Sequence, residues 1–233
     1  MNIGLLQCDH VSDQFQHIIS DYPDAFCDLF ARHAPHISLR VYDVCHGVLP
    51  QSLDECDGYI TTGSRYSVYD DEGWIHHLCE FVRQVHDQSR KLVGICFGHQ
   101  MIAHALGGTV AKSDNGWGIG AKTVDILQTR PWMQPPQESY RLLVSHQDQV
   151  LALPPGAEVL GGNVHCPVSM FTVGNHMLGF QAHPEFTPDY AEALMDARLE
   201  RIGYDVVQDA RLTLNEPTDE VITMQWINAF FSM

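Results

Sequence analysis

The ten residues Lys91-Leu92-Val93-Gly94-Ile95-Cys96-Phe97-Gly98-His99-Gln100 constrain the fold more than any other stretch of the chain. They begin as a short apolar run with β-branched residues, which predicts a buried strand. Beyond it Phe97, Met101, Ile102, Ala105 and Leu106 fall at helical spacing, and Gly107-Gly108 supplies a helix stop. Between strand and helix sits Gly94-x-Cys96-x-Gly98, the cysteine form of the G-x-S-x-G elbow. So sharp a turn strains its central residue, and glycines two positions either side remove the Cβ atoms that would collide. The sulfur is then pushed out over the carboxyl edge of a sheet. The following helix aims unpaired N–H groups and the positive end of its dipole at that sulfur, which favours thiolate over thiol. An isolated cysteine is more often a buried structural one. The flanking glycines, with a strand before and a helix after, favour a nucleophile.

The surrounding pattern predicts how that strand is housed. Ile3 to Gln7 reads as a first strand, and Val11 to Ser20 as a polar loop or lid. A helix opens near Pro23 with Phe26, Leu29 and Phe30 on its apolar face. Ile37 to Val44 alternates as a strand. Asp57 to Ser64 reads as a strand running into a turn, and a helix follows from about Gly73 with Ile75, Leu78, Phe81, Val82 and Val85 on one side. This β-α-β-α-β-α order predicts a parallel sheet wrapped by helices. After Gly108 the chain breaks into short strand candidates at Thr109–Ala111, Ala121–Leu127, Arg141–Ser145, Ala157–Leu160 and Ser169–Val173, with glycine and proline between them, so hairpins are expected. A buried strand over His176–Ala182, a helix from Pro188 carrying Tyr190, Ala193, Leu194, Ala197 and Leu199, and a helix over about Asp219 to Phe230 complete the reading. The fold class expected is α/β: a mostly parallel central sheet flanked by helices, with a small additional antiparallel sheet. The 233 residues show no repeat and no clear linker, so one domain over 1–233 is the simplest organisation.

A net charge of −16 argues against nucleic acid or an anionic membrane as partner. No apolar run approaches the ~18 residues of a membrane span. The first residues lack the basic and apolar regions of a signal peptide. Seven cysteines without a C-x-x-C suggest neither a disulfide framework nor a zinc ribbon, and a reducing, cytoplasmic compartment is expected.

A cysteine nucleophile needs a base, and the base needs an orienting group. Among fourteen histidines His183 stands apart, because it follows a buried strand and precedes Pro184-Glu185. Pro184 keeps the backbone extended, so His183 and Glu185 both project around one strand end, and the carboxylate can fix the imidazole tautomer. Oxyanion donors are expected from the Phe97 N–H and from Gly63 in Thr61-Thr62-Gly63-Ser64. Gly116-Trp117-Gly118-Ile119-Gly120 borders the cleft or is a packed turn. His76-His77 with His46 or His86 is read as solvated or core histidines rather than a metal site, and no cofactor is expected.

Gly94-Ile-Cys-Phe-Gly-His-Gln100 together with Gly179-Phe-Gln-Ala-His-Pro-Glu185 resembles the class I, triad-type glutamine amidotransferases. Ser145-His146-Gln147-Asp148-Gln149-Val150 resembles the Ser-His-x-Asp-x-Val segment of the GMP synthase amidotransferase domain. The resemblance runs from about Ile3 to Phe186 through three motifs in order. It implies a flavodoxin-like sheet and hydrolysis of a γ-glutamyl amide through a cysteine thioester. It implies Cys96 as nucleophile, His183 as acid and base, Glu185 as orienting carboxylate, and Gly63 and Phe97 as oxyanion N–H donors. Gln100, Ser145, His146, Gln147 and Asp148 would hold the amino-acid end of the substrate. Two departures stand out. The chain has no Ser-Gly-Gly-x-Asp-Ser or G-x-x-x-x-G-K-[ST] loop of an ATP-using synthetase, and Thr62-Gly63-Ser64 replaces a Gly-Gly-Pro. The likeness is therefore to stand-alone GMP-synthase-like amidotransferases, which include plant peptidases acting on γ-glutamyl peptides. Two substrate readings follow: glutamine, with ammonia passed to a synthetase partner, or a γ-glutamyl peptide or amine hydrolysed without one. A regulatory protein without turnover would usually have lost Cys96, His183 or Glu185. A general cysteine peptidase fits Gln100 and the Ser145-His146 segment less well.

Overall fold

The computed structural model describes residues 1–233. Eleven strands and eight α-helices follow one another along the chain. The first part contains β1 (Asn2–Gln7), α1 (Gln16–Ile19), α2 (Tyr22–His33), β2 (Ser38–Asp43), β3 (Gly58–Thr61), α3 (Gly73–Asp87), β4 (Lys91–Ile95) and α4 (Phe97–Ala105). The strand-rich middle contains β5 (Thr109–Lys112), β6 (Gly118–Ile126), β7 (Ser139–His146), β8 (Asp148–Ala152), β9 (Ala157–Gly162), β10 (Met170–Val173) and β11 (Met177–Phe180). Helices α5 (Pro188–Ala197), α6 (Leu199–Ile202), α7 (Tyr204–Thr213) and α8 (Glu220–Ser232) follow.

Nine strands form one sheet in the order β2-β1-β3-β4-β11-β10-β9-β6-β7. The five from β2 to β11 are parallel, and the remainder pair antiparallel. Strand β11 is the seam between the two halves. Strands β5 and β8 make the separate two-stranded antiparallel sheet. The inner parallel strands β1, β3, β4 and β11 are buried almost throughout because helices cover both faces, whereas the edge strand β2 is largely exposed. One layer packs Phe26, Leu29 and Phe30 of α2 and Trp226, Ile227 and Phe230 of α8 against Ile3, Leu5, Val93 and Leu178. The other packs Ile75, Leu78, Phe81 and Val82 of α3 and Phe97, Met101 and Ile102 of α4 against Leu6, Tyr59 and Leu92. Each such side chain removed from water contributes about 1.5–3 kcal/mol.

Helix starts follow local chemistry. Asp21 caps α2 by accepting from Tyr22 N, with Asp24 closing the capping box and Pro23 in the first turn. Thr187 caps α5 by accepting from Tyr190 N, ahead of Pro188. The segment read as a loop from Val11 to Ser20 instead contains a 3-10 turn over Asp13–Phe15 and the short α1. Strand β8 and helices α6 and α7 were not expected from the sequence, and Leu199 belongs to α6 rather than to the preceding helix. Helix α7 lies on β6 at Gly120, whose φ is +76°. A Cβ there would also come within 2.6 Å of Thr213 Oγ1.

No helix is long and apolar enough to cross a membrane.

Candidate active site

Cys96 stands between β4 and α4 with φ 51° and ψ −97°, a left-handed conformation costing a non-glycine residue of order 1–3 kcal/mol. The reasons for both flanking glycines are steric. A Cβ on Gly94 would lie 2.4 Å from the backbone of Gly98, and a Cβ on Gly98 would lie 1.6 Å from Thr61 Oγ1 on β3. The elbow therefore closes only if both positions lack a side chain. Cys96 N donates to Phe180 O at 2.8 Å, which pins the turn to the neighbouring strand β11. The thiol is 5% exposed.

The chain leaving β11 delivers His183 and Glu185 beside it. His183 Nδ1 and Glu185 Oε1 are 2.7 Å apart, and both residues are buried. His183 N donates to Leu143 O at 2.9 Å, so β7 holds the far side of this segment. The imidazole stacks on Phe186, with ring centroids 3.8 Å apart and planes 12° apart. Burial alone would lower the imidazole pKa. The Glu185 carboxylate, the Cys96 sulfur and the hydrogen bonds to both outweigh burial and raise it well above the ordinary histidine value.

Gly63 sits against this pair. A Cβ at Gly63 would come within 2.7 Å of His183 Cε1 and 3.6 Å of Cys96 Cβ. The Gly63 N–H is taken up by no backbone carbonyl, while its C=O accepts from Thr62 Oγ1 at 2.9 Å. Phe97 is the first residue of α4, where N–H groups lack intrahelical partners. Gly63→Ala should therefore push the imidazole out of line. A fall in kcat/KM of roughly 10- to 100-fold is expected, with the melting temperature nearly unchanged. Equal turnover by the two proteins would remove Gly63 from the site.

A cleft beside Cys96 is lined by Ser64–Ser67, Gln100, Lys112, Trp117, Ser145–Asp148, Arg198 and Arg201. All five residues expected to hold the amino-acid end of a substrate are thus brought to one place. Their side chains are not all free. Gln100 Nε2 donates to Asp148 O at 2.9 Å and to Gln181 Oε1 at 3.0 Å, so this amide also braces the wall. Ser145 Oγ accepts from Arg198 Nη1 at 2.6 Å. His146 is buried with Nδ1 3.1 Å from Asp148 O, and burial pushes its pKa down to about 3, which keeps the ring neutral. Gln147 forms the single-residue link between β7 and β8.

Several neighbours were not singled out from the sequence. Gln181 Nε2 lies 3.5 Å from Cys96 Sγ. Arg65 is clamped by Asp9 through contacts of 2.7–3.0 Å. Arg198 and Arg201 lie over the Trp117 ring at 5.8 and 5.4 Å. Isolated polar and charged residues scattered over several connections carry no spacing signal, so only the fold could have brought these together. His76 meets Asp71, His86 meets His176, and His46 meets His10 and Asp43, so His76-His77 do not gather with His46 or His86.

A buried thiol on a strained strand-to-helix turn, with a histidine–carboxylate pair just beyond the adjacent strand, is the arrangement a cysteine nucleophile needs in an α/β fold. Residues 29–198 match the profile of the family "Glutamine amidotransferase class-I", and the chain belongs to that family. It is 30% identical over 206 residues to gamma-glutamyl peptidase 2 of Arabidopsis thaliana, covering 86% of this chain and 82% of that one. It is 30% identical over 170 residues to a GMP synthase [glutamine-hydrolyzing] of Porphyromonas gingivalis, covering 72% of this chain but 32% of that one. Among solved structures it resembles a glutamine amido transferase from Methylobacillus flagellatus with a TM-score of 0.76 and 22% identity, over 99% of this chain and 92% of that one.

Proposed function

We propose that the chain acts as a single domain that hydrolyses γ-glutamyl amides through a thioester on Cys96. The observation carrying this reading is the convergence of Cys96 and the His183–Glu185 pair at the ends of adjacent strands, beside a polar cleft. The Cys96 sulfur attacks the γ-carbonyl carbon, and the resulting oxyanion takes hydrogen bonds from the Gly63 and Phe97 N–H groups. The C–N bond breaks as His183 gives a proton to the leaving amine. Water then attacks the thioester, His183 takes its proton, and glutamate leaves with the sulfur restored. Glu185 holds the imidazole orientation and stabilises its cation.

Gln100 and the Ser145–Asp148 wall are the candidates for the α-amino and α-carboxylate groups. The cleft also carries Lys112, Arg198 and Arg201 in a chain of net charge −16, and such a concentration of cations suits an anionic substrate. The Arabidopsis relative is named a peptidase, and the GMP synthase relative is a glutamine-hydrolysing enzyme. Of the two substrate readings we favour a γ-glutamyl peptide or amine over glutamine with a synthetase partner.

The test is kcat/KM of the purified chain for glutamine against a panel of γ-glutamyl dipeptides. At least one dipeptide should be the better substrate. Tyr66→Ala and Trp117→Ala should change the ranking among leaving amines, because both residues line the cleft. If glutamine is best, or if only an added protein raises activity, the ammonia-supplying reading takes its place.

A further inference from the structure

Away from Cys96, four side chains from two segments converge on one point. His10 comes from the loop after β1, Asp43 ends β2, and Cys45 and His46 follow in the next turn. Their nearest potential ligand atoms all lie within 4.8 Å of one another. We propose that His10, Asp43, Cys45 and His46 form a binding site for one zinc-class divalent transition-metal ion.

The spacings are those a small metal imposes. His10 Nε2 lies 3.3 Å from His46 Nδ1 and 3.4 Å from Asp43 Oδ1, and His46 Nδ1 lies 3.0 Å from that same oxygen. Cys45 Sγ is 3.4 Å from Asp43 Oδ1. Bonds of about 2.0–2.3 Å to nitrogen, oxygen and sulfur in a tetrahedron put neighbouring ligand atoms about 3.3–3.7 Å apart. Three donor atoms therefore already mark out one face of such a tetrahedron. The set contains two imidazoles, one carboxylate and one thiol, a mixture suited to zinc or cobalt rather than to magnesium or calcium.

The outer contacts strengthen the case. His10 turns its other ring nitrogen, Nδ1, toward Asp21 Oδ2 at 2.7 Å. That bond places the proton on Nδ1 and leaves the Nε2 lone pair facing Asp43 and His46, as in carboxylate–histidine–metal arrangements. Asp21 is itself fixed by Val11 N, Tyr22 N and Gln7 Nε2 at 2.8–2.9 Å. Its orientation is thus built in by the start of α2. The His10 and His46 lone pairs and the Asp43 carboxylate then face one another, and a single proton can bridge only one pair of them. Arg65, which reaches His10 O, is already paired with Asp9. His46 is largely exposed and His10 lines an open cavity, so an ion has a path in from solvent. This departs from the expectation of no metal drawn from sequence spacing. Bound metal would tie the loop after β1 to the turn after β2, and His10 O accepts from Arg65 of the catalytic cleft.

The test uses untagged full-length protein stripped with a chelator and titrated with Co²⁺ and Zn²⁺. One equivalent should bind saturably. Cobalt should give the intense visible bands of a four-coordinate ion and a thiolate-to-cobalt charge-transfer band. Cys45→Ser should remove that charge-transfer band, and His10→Ala should abolish stoichiometric binding. His46→Ala, the most exposed change, should weaken binding at least tenfold. Cys96→Ala should leave all of these signals intact. Zinc should raise the melting temperature of wild type but not of the His10→Ala protein. Absence of saturable one-equivalent binding overturns the proposal. So does a charge-transfer band that survives Cys45→Ser or disappears in Cys96→Ala, since the ion would then sit elsewhere.

Discussion

Cys96→Ser should lower kcat/KM for any γ-glutamyl substrate by at least about 10⁴-fold while leaving the fold intact. Serine is nearly isosteric, so the elbow, the bond from Cys96 N to Phe180 O and the packing of α4 all survive. A hydroxyl is a far poorer nucleophile beside this imidazole. Because the other six cysteines lie off the elbow, a glutamine-like diazo-ketone should label Cys96 alone. Mass mapping of the labelled protein and a thermal melt of the variant check both halves. Labelling at another cysteine, or wild-type turnover by the variant, rejects the assignment.

His183→Ala should cost at least about 10³-fold in kcat, and Glu185→Gln somewhat less. The 2.7 Å contact between the two residues makes them one unit, so the double variant should be far less impaired than the product of the single losses. The pH profile separates a catalytic pair from a structural one. Burial opposes the imidazolium, but Glu185 and Cys96 prevail and raise the His183 pKa. A raised histidine value means that its proton is held through neutral pH. The linked stability is fully present below the ordinary value of about 6.5 and fades only as pH rises through the raised one. The alkaline limb of kcat/KM should accordingly lie well above pH 6.5 in wild type. In Glu185→Gln it should move toward neutral, and the alkaline loss of stability should move with it. Multiplicative single effects with an unmoved limb would count against the pair.

The half of the molecule that carries the candidate site was readable because its geometry is local. The Gly94–Gly98 elbow, the strand before it and the helix after it are contiguous in sequence. His183-Pro184-Glu185 is likewise one short extended segment. What could not be read depends on contacts across the chain. Strands β7 and β8 are separated by Gln147 alone, without a glycine or proline to mark the turn, so the segment looked like a binding motif alone. Helix α7 buries little more than Val207 and Ala210, too few apolar positions to show a helical stripe. Arg198 reaches Ser145, and Arg65 reaches Asp9, over separations of 53 and 56 residues. His10 and His46 were scattered among fourteen histidines, and only the parallel pairing of β1 with β2 sets their loops side by side.

Strand β11 pairs with β4 so that Phe180 stands opposite Ile95, one residue before Cys96 and three before His183. The distance between sulfur and imidazole is therefore metered by a single strand register. The 81 residues from 96 to 176 lie between the two strands. They hold the end of β11 through its pairing with β10, through Ser169 O accepting from Gln181 N, and through Leu143 O accepting from His183 N. Lengthening a connection within the antiparallel half should be tolerated wherever these contacts are kept. A one-residue deletion inside β11 would slide its end by about 3.3 Å and turn every side chain to the opposite face. The connections between the antiparallel strands are thus free to diversify around the substrate, while the four residues of β11 are held by the geometry needed at their end.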